Sequence, residues 1–190
     1  MKYKIEFFDY WHTSSGLSTG SDADTTVIKD EDKLPIIQGK TLKGLIREAA
    51  ENLHELDSSL VTKEFIKLVF GEQILDNDKQ EKSVKEATCF FSNAMLSKKT
   101  VEFLNTENDK NLKSALYKNI ASTKIDENGQ AKEHSLRVLE VCIPLVLYAE
   151  IVDFPDDKQY EEQLKLCLNW VKRMGLNRTR GLGRCKLEII

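Results

Sequence analysis

Three arginines, Arg178, Arg180 and Arg184, are interspersed with glycines in Gly175-Leu176-Asn177-Arg178-Thr179-Arg180-Gly181-Leu182-Gly183-Arg184-Cys185. A guanidinium offers a planar fork to phosphate oxygens, and Gly181 and Gly183 let a backbone approach closely, so the stretch has the chemistry of a grip on a polyphosphate strand. Between Gln163 and Leu187 the chain carries seven Lys or Arg and no acid, although its formal net charge is -3. Positive charge is therefore concentrated here, against an otherwise acidic chain. The alternative is a capped helix followed by a solvated turn.

Other residues offer other chemistry. Asp22 and Asp24 stand among small residues in Gly20-Ser21-Asp22-Ala23-Asp24-Thr25-Thr26-Val27-Ile28-Lys29-Asp30. A carboxylate so placed can hold Mg²⁺ while a substrate phosphate completes the shell, or it can simply close local turns; the alternating ligands of an EF-hand are not present. His12, beside Tyr10 and Trp11, reads either as a base near a stacking surface or as a packed ring at the end of a strand. His54 and His134 have no partner at metal-ligand spacing. Gly39-Lys40-Thr41 suggests a phosphate loop, but Leu34 stands where that motif needs glycine and Pro35 removes a backbone donor. What remains is a helix start flanked by Lys40 and Lys43, where backbone donors, dipole and charge could hold one phosphate, or a solvated basic face.

These residues need elements to position them. Tyr3 to Asp9 alternates and reads as a strand, and Ser14 to Asp32 reads as a loop. From Thr41, the positions Leu42, Leu45, Ile46, Ala49 and Leu53 follow helical spacing, with Lys40, Lys43 and Arg47 gathered on another face. Ala87 to Leu96 suits a buried strand, and Val138 to Phe154 a longer one bent at Pro144. Tyr160 to Val171 is helical, with Gly175 placed as its cap, and Arg184 to Ile190 alternates again. The order strand, helix, strand, strand, helix, strand predicts an α+β fold with a ferredoxin-like, RNA-recognition-motif-like βαββαβ core. A single domain over 1–190 is expected, with insertions at about 10–38 and 97–137. The second insertion carries the turn signal Asp126-Glu127-Asn128-Gly129.

Composition sets bounds. With 190 residues, 41% apolar and 31% charged, the chain is long enough to bury its own core. Cys89, Cys142, Cys167 and Cys185 form no CxxC pair and read as buried thiols. No apolar run reaches spanning length, so a cytoplasmic protein that does not enter the membrane is expected. A sequence pI near 5.7 excludes generic nucleic-acid binding and leaves local patches.

Several separated pieces together resemble the RAMP superfamily of CRISPR systems, in particular the repeated backbone subunits of type III effector complexes. The N-terminal signature corresponds to residues 20–30 and to Leu34-Pro35-Ile36-Ile37-Gln38-Gly39-Lys40-Thr41-Leu42-Lys43-Gly44-Leu45-Ile46-Arg47. Residues 125–141, with Lys132, look like the thumb and the strand after it, and Arg180-Gly181-Leu182-Gly183-Arg184 looks like the glycine-rich loop. The resemblance implies an RNA-recognition-like core that binds guide RNA, pairs with target RNA, and assembles with other effector subunits and copies of itself. It implies RNA contacts at Lys40, Lys43, Arg47, Lys132, Arg178, Arg180, Gly181, Gly183 and Arg184. It further implies that Asp24, with Asp22 as the nearby alternative, cuts target RNA with Mg²⁺ or another divalent metal held at Asp24. Ser18 stands where the family often has histidine, so no histidine role carries over. Two other readings are a non-catalytic RNA-binding assembly subunit and a metal-independent guide-processing ribonuclease with His12 as base. The leading reading expects the cations of the two distant segments to meet on one surface beside the last strand.

Overall fold

A computed structural model describes residues 1–14, 23–75, 82–85, 87–106 and 110–190. The elements in chain order are β1 (Lys2–Phe7), α1 (Gly39–Leu56), α2 (Lys63–Phe70), β2 (Glu72–Leu75), β3 (Lys82–Lys85), β4 (Phe90–Phe91), α3 (Lys98–Thr106), α4 (Lys110–Ser114), β5 (Tyr117–Ser122), β6 (Arg137–Cys142), β7 (Val146–Val152), α5 (Lys158–Trp170) and β8 (Cys185–Ile189). The fold is mixed α+β with antiparallel sheets. Four strands lie in the order β4-β7-β1-β8, while β2-β3 and β5-β6 form separate pairs. In the larger sheet β1 is central, with Ile5 opposite Leu147 on one side and Leu187 on the other.

Alternation explains which face is covered. Tyr3, Ile5 and Phe7, with Leu147, Ala149, Ile151, Cys185 and Leu187, point to one side and are buried. Helix α1 lays Leu42, Ile46, Ala49 and Leu53 on that side and α5 adds Leu164, Cys167 and Leu168, all in one apolar cluster. The intervening positions Lys2, Phe90, Tyr148, Val152 and Lys186 are exposed on the other face. All four cysteines are buried and free, and burial pushes the Cys142, Cys167 and Cys185 thiols up to about 12, so they act as packing groups.

The structure departs from the periodicity in four places. Val138 to Phe154 is two strands in two sheets, because the chain turns through Ile143, Pro144 and Leu145. Only Phe90–Phe91 of the expected strand over Ala87 to Leu96 pairs continuously, with single bridges at Ala94 and Met95. There the Asn93 side chain leaves the ladder and accepts from the Gly39 amide at 2.9 Å. Helix α5 ends at Val171, so Gly175 is not its cap. Helix α2 escaped the sequence reading, although Thr62 caps it by accepting from the Phe65 amide and Phe65, Ile66, Val69 and Phe70 have helical spacing.

The start of α1 lies against β4 so closely that a Cβ on Gly39 would stand 1.9 Å from the Phe91 carbonyl oxygen, whereas one on Gly44 would meet nothing within 4 Å. Gly39→Ala should therefore lower unfolding free energy by about 2–4 kcal/mol in urea titrations. Gly44→Ala should raise it by about 1 kcal/mol through helix propensity. Equal effects of the two would contradict this close approach.

Candidate nucleic-acid interface

Asp24 lies where residues 23–29 run beside the start of β6. Its amide donates to the Val138 carbonyl at 2.9 Å, and its Oδ2 accepts from the Val138 amide at 2.7 Å. The residue is exposed, and no other hydrogen bond holds its carboxylate among the described residues. No group of three or more His, Cys, Asp or Glu that could hold a metal occurs among the described residues. Asp24 therefore offers one hard oxygen, enough for an ion completed by phosphate and water but not for a closed protein cage. Asp22 lies outside the described residues.

Two residues along β6, Glu140 fixes the same segment. Its amide donates to the Thr25 carbonyl at 3.1 Å; its carboxylate accepts from the Val27 amide at 3.0 Å and from Lys29 Nζ at 2.7 Å. Lys29 Nζ also sits 4.0 Å from the Tyr117 ring centroid, joining β5 to the network. The backbone carbonyl of Glu140 accepts from His12 Nδ1 at 2.6 Å. A carbonyl only accepts, so Nδ1 carries the proton and Nε2 the lone pair. Nε2 is buried with no partner among the described residues, and burial lowers the pKa of the ring. His12 is 0% exposed. It is a structural residue here, and the reading of His12 as a base toward RNA does not fit this position.

The glycine-rich loop rests on the same stretch. The Leu176 amide donates to the His12 carbonyl at 2.9 Å and the Gly183 amide to the Tyr10 carbonyl at 2.8 Å. Gly183 has φ +71°, and a Cβ there would lie 2.0 Å from the Met174 carbonyl oxygen, so the fold itself requires this glycine. Gly181 also has positive φ, but the space around it is open. Loop, residues 10–12, β6 and Asp24 thus form one hydrogen-bonded series. Arg178 and Arg180 are exposed and make no ion pair among the described residues, while Arg184 Nε lies 3.4 Å from Asp9 and its guanidinium 5.5 Å from the Phe8 ring. Lys132 is exposed on the arm beyond β5 and β6, where its amide donates to the Lys124 carbonyl and Asp126 Oδ1 closes the tip turn.

The cations of α1 are placed elsewhere. Arg178 lines a cleft with Leu45, Glu48, Ala49 and Asn52 of α1. At ~100° per residue, Lys40, Lys43 and Arg47 stand roughly 160° around the helix from that side. Lys43 acts on Cys89, next to β4, and β4 and β8 are opposite edges of the sheet. The two basic groups therefore stand on opposite shoulders of α1, with its buried apolar stripe below and the exposed Gly44 and Glu48 on the ridge between them. Arg47 is also held by Glu51 at 2.7 Å. At the start of α1 the Gly39 amide is already taken by Asn93, which leaves fewer donors for a phosphate.

The sequence reading did not single out Glu140, Lys29 or Trp170. Glu140 had a signal, as the only acid within the apolar run from Val138 to Tyr148.

Comparison with known proteins supplies a frame for this geometry. A family model described as the RAMP superfamily matches residues 4–186. No curated protein matches the chain. A chain in the cryo-EM structure of the Type III-B Cmr-beta bound to cognate target RNA aligns with TM-score 0.72 and 13% identity, covering 98% of this chain and 95% of that one. A chain of Type III-B Cmr-beta in the apo state aligns with TM-score 0.66 and 14% identity over the same shares. At these identities the likeness is one of fold.

The lowered pKa of His12 gives a pH dependence with a defined sign. Above the ordinary histidine value of 6.5 neither the folded nor the unfolded chain carries the proton, and the contribution to stability is complete. As pH falls, the unfolded chain binds the proton first, and stability drops until pH passes the lower folded value. His12→Gln should flatten the fall in urea midpoint between about pH 7 and 5. An unchanged profile would contradict the neutral, buried state of the ring.

Proposed function

Because the chain belongs to the RAMP superfamily, we propose that it is an RNA-binding subunit of a type III-like CRISPR effector complex. Its guide-binding face is the series from the Gly175–Arg184 loop through residues 10–12 to the base of β6. The observation that carries this reading is that the loop bearing Arg178 and Arg180, which make no ion pair among the described residues, and the open backbone at Gly181 belong to the same hydrogen-bonded scaffold as Asp24. A structure of similar fold was determined with cognate target RNA bound, which suits the assignment. In this reading β1, α1, β4, β7, α5 and β8 are the ferredoxin-like core of a single domain over 1–190. Residues 10–38 and 97–137 are its insertions, and the β5–β6 arm with Lys132 is its thumb. The partners are guide RNA, target RNA, other effector subunits and further copies of the chain, in the cytoplasm. No described helix is long and apolar enough to cross a membrane.

Affinity would come from phosphate contacts at Arg178, Arg180, Arg184 and Lys132, with Gly181 admitting the strand. Lys40, Lys43 and Arg47 form a separate contact, reached where the strand passes the other shoulder of α1. Asp24 would hold a divalent cation through the oxygen that Val138 leaves free, and that ion would supply neutralisation of phosphodiester charge. Cleavage is an intramolecular displacement. The 2′-hydroxyl of the target would give its proton to solvent and its oxygen would bond to phosphorus as the bond to the 5′-oxygen breaks; water would protonate the departing oxygen, leaving a 2′,3′-cyclic phosphate and a 5′-hydroxyl. That Asp24 belongs to no group of three or more metal-ligating side chains among the described residues favours a second reading, a subunit of the same architecture that binds RNA without cutting it.

In an assembled complex, Asp24→Ala should leave RNA binding unchanged and abolish cleavage of target RNA. Undiminished cleavage would remove Asp24 from the reaction, and no cleavage by the unsubstituted complex with Mg²⁺ would establish the non-catalytic reading. Arg180→Ala should weaken binding with little sequence dependence and flatten the salt slope by about one unit in filter-binding assays. An unaltered slope would take Arg180 off the phosphate path.

A further inference from the structure

A second surface, beside the glycine-rich loop but facing α1, has its own chemistry. Where α5 ends, Trp170, Lys172, Arg173 and Arg178 close one side of a cleft, and Glu48 and Asn52 of α1 close the other. The cleft has a volume of about 120 Å³. At ~30 Å³ per water molecule this is space for one flat ring or one phosphate rather than an extended ligand. Trp170 is 46% exposed. The three cations make no ion pair among the described residues.

The backbone beneath the cleft adds an independent observation. The Met174 amide donates to the Gly183 carbonyl at 3.0 Å and the Cys185 amide to the Lys172 carbonyl at 2.9 Å. These bonds flank Arg173 and Arg184, which face each other as an antiparallel bridge. In such a pair, of the non-hydrogen-bonded kind, the Cα atoms approach to about 4.5 Å and the side chains leave on the same side. Like charges opposite one another destabilise a ladder. Arg184 is relieved by Asp9, whereas Arg173 makes no ion pair among the described residues, although Glu48 lines the far side of the same cleft. An anion beside Arg173 would supply that relief.

We propose that this cleft takes one base of a single-stranded RNA, held against Trp170 with Asn52 and Glu48 at its edge, while the flanking phosphate stays outside at the exposed Arg173 and Arg178. The assignment rests on the RNA-binding reading above and adds a stacking subsite to it. An aromatic face accepts any base, so the contact is tolerant of sequence. Arg178 belongs to both surfaces, since it comes from the glycine-rich loop and lines the cleft.

Trp11 is fully buried and Trp170 half-exposed, so tryptophan fluorescence reports the cleft. A 20-nucleotide single-stranded RNA titrated into the full chain at low salt, with anisotropy of labelled RNA read in parallel, should quench emission as binding proceeds. Trp170→Phe should remove most of the quench. Trp170→Ala should weaken binding roughly tenfold, and Arg173→Ala should weaken it while leaving the fold intact by circular dichroism. RNA that binds with unchanged emission, or with equal affinity for Trp170→Ala, would overturn the cleft and leave the RNA-binding reading standing. Equal quenching by poly-L-glutamate would also overturn it, by making the cleft an acidic-peptide site. Failure of RNA to bind at all would remove both readings together.

Discussion

Strand β6 is used three ways, and the rest of the candidate interface depends on that. Its partner in the ladder is β5, its other edge carries residues 23–27, and the carbonyl of Glu140 receives His12. Glu140 joins these roles because its carboxylate satisfies the Val27 amide and the Lys29 ammonium at once. A largely buried carboxylate is stable only when paired and hydrogen-bonded, and here its pairing holds the Asp24 segment in register. His12 carries the same constraint onward, since its own carbonyl seats the glycine-rich loop. An arm, a carboxylate and a basic loop, far apart in sequence, are thereby held as one body.

Charge is arranged to match. The chain is acidic overall, yet Arg178, Arg180, Lys172 and Arg173 make no ion pair among the described residues, whereas Lys4, Lys29, Arg47, Lys67 and Lys165 are each paired with glutamate. Lys40, Lys43, Lys98, Lys99 and Lys132 also make no ion pair among the described residues, so what sets this end apart is its seven Lys or Arg with no acid between Gln163 and Leu187. A polyanion would be drawn to that end of the molecule, and the attraction would weaken as salt rises. The division of cations by α1 means that a strand touching all of them must pass around the helix instead of lying in one groove.

Much of this was legible from residue order. The alternation in Tyr3 to Phe7 and Cys185 to Ile189, and the 3.6-residue spacing in α1 and α5, follow from apolar burial and survive in the structure with boundaries shifted by a few residues. The glycine-rich loop was visible as a break between helix and strand, but spacing alone could not tell that Gly183 is required by its contact with the Met174 carbonyl while the space around Gly181 is open. Long-range contacts left no local trace. Nothing near Val138 announces Asp24, and Glu140 looks like an ordinary polar position in a strand until its partners arrive from residues 12, 27 and 29. The expected union of the two basic groups failed for a related reason: spacing places Lys40, Lys43 and Arg47 on one face of α1 but does not say which shoulder α5 occupies. The split of Val138 to Phe154 into two strands was hidden because both halves are apolar, and only pairing distinguishes them.

The central claim is that the loop and the β6 arm form a single RNA-holding face, and cross-linking tests it most directly. The protein, purified with whatever nucleic acid it carries, would be irradiated with ultraviolet light, digested and mapped by mass spectrometry, and the attached RNA sequenced. The account predicts short repeat-derived RNA joined to peptides spanning residues 170–184 and the arm between β5 and β6. Absence of RNA, or adducts confined to α2, α3 and the open face of the sheet, would contradict it.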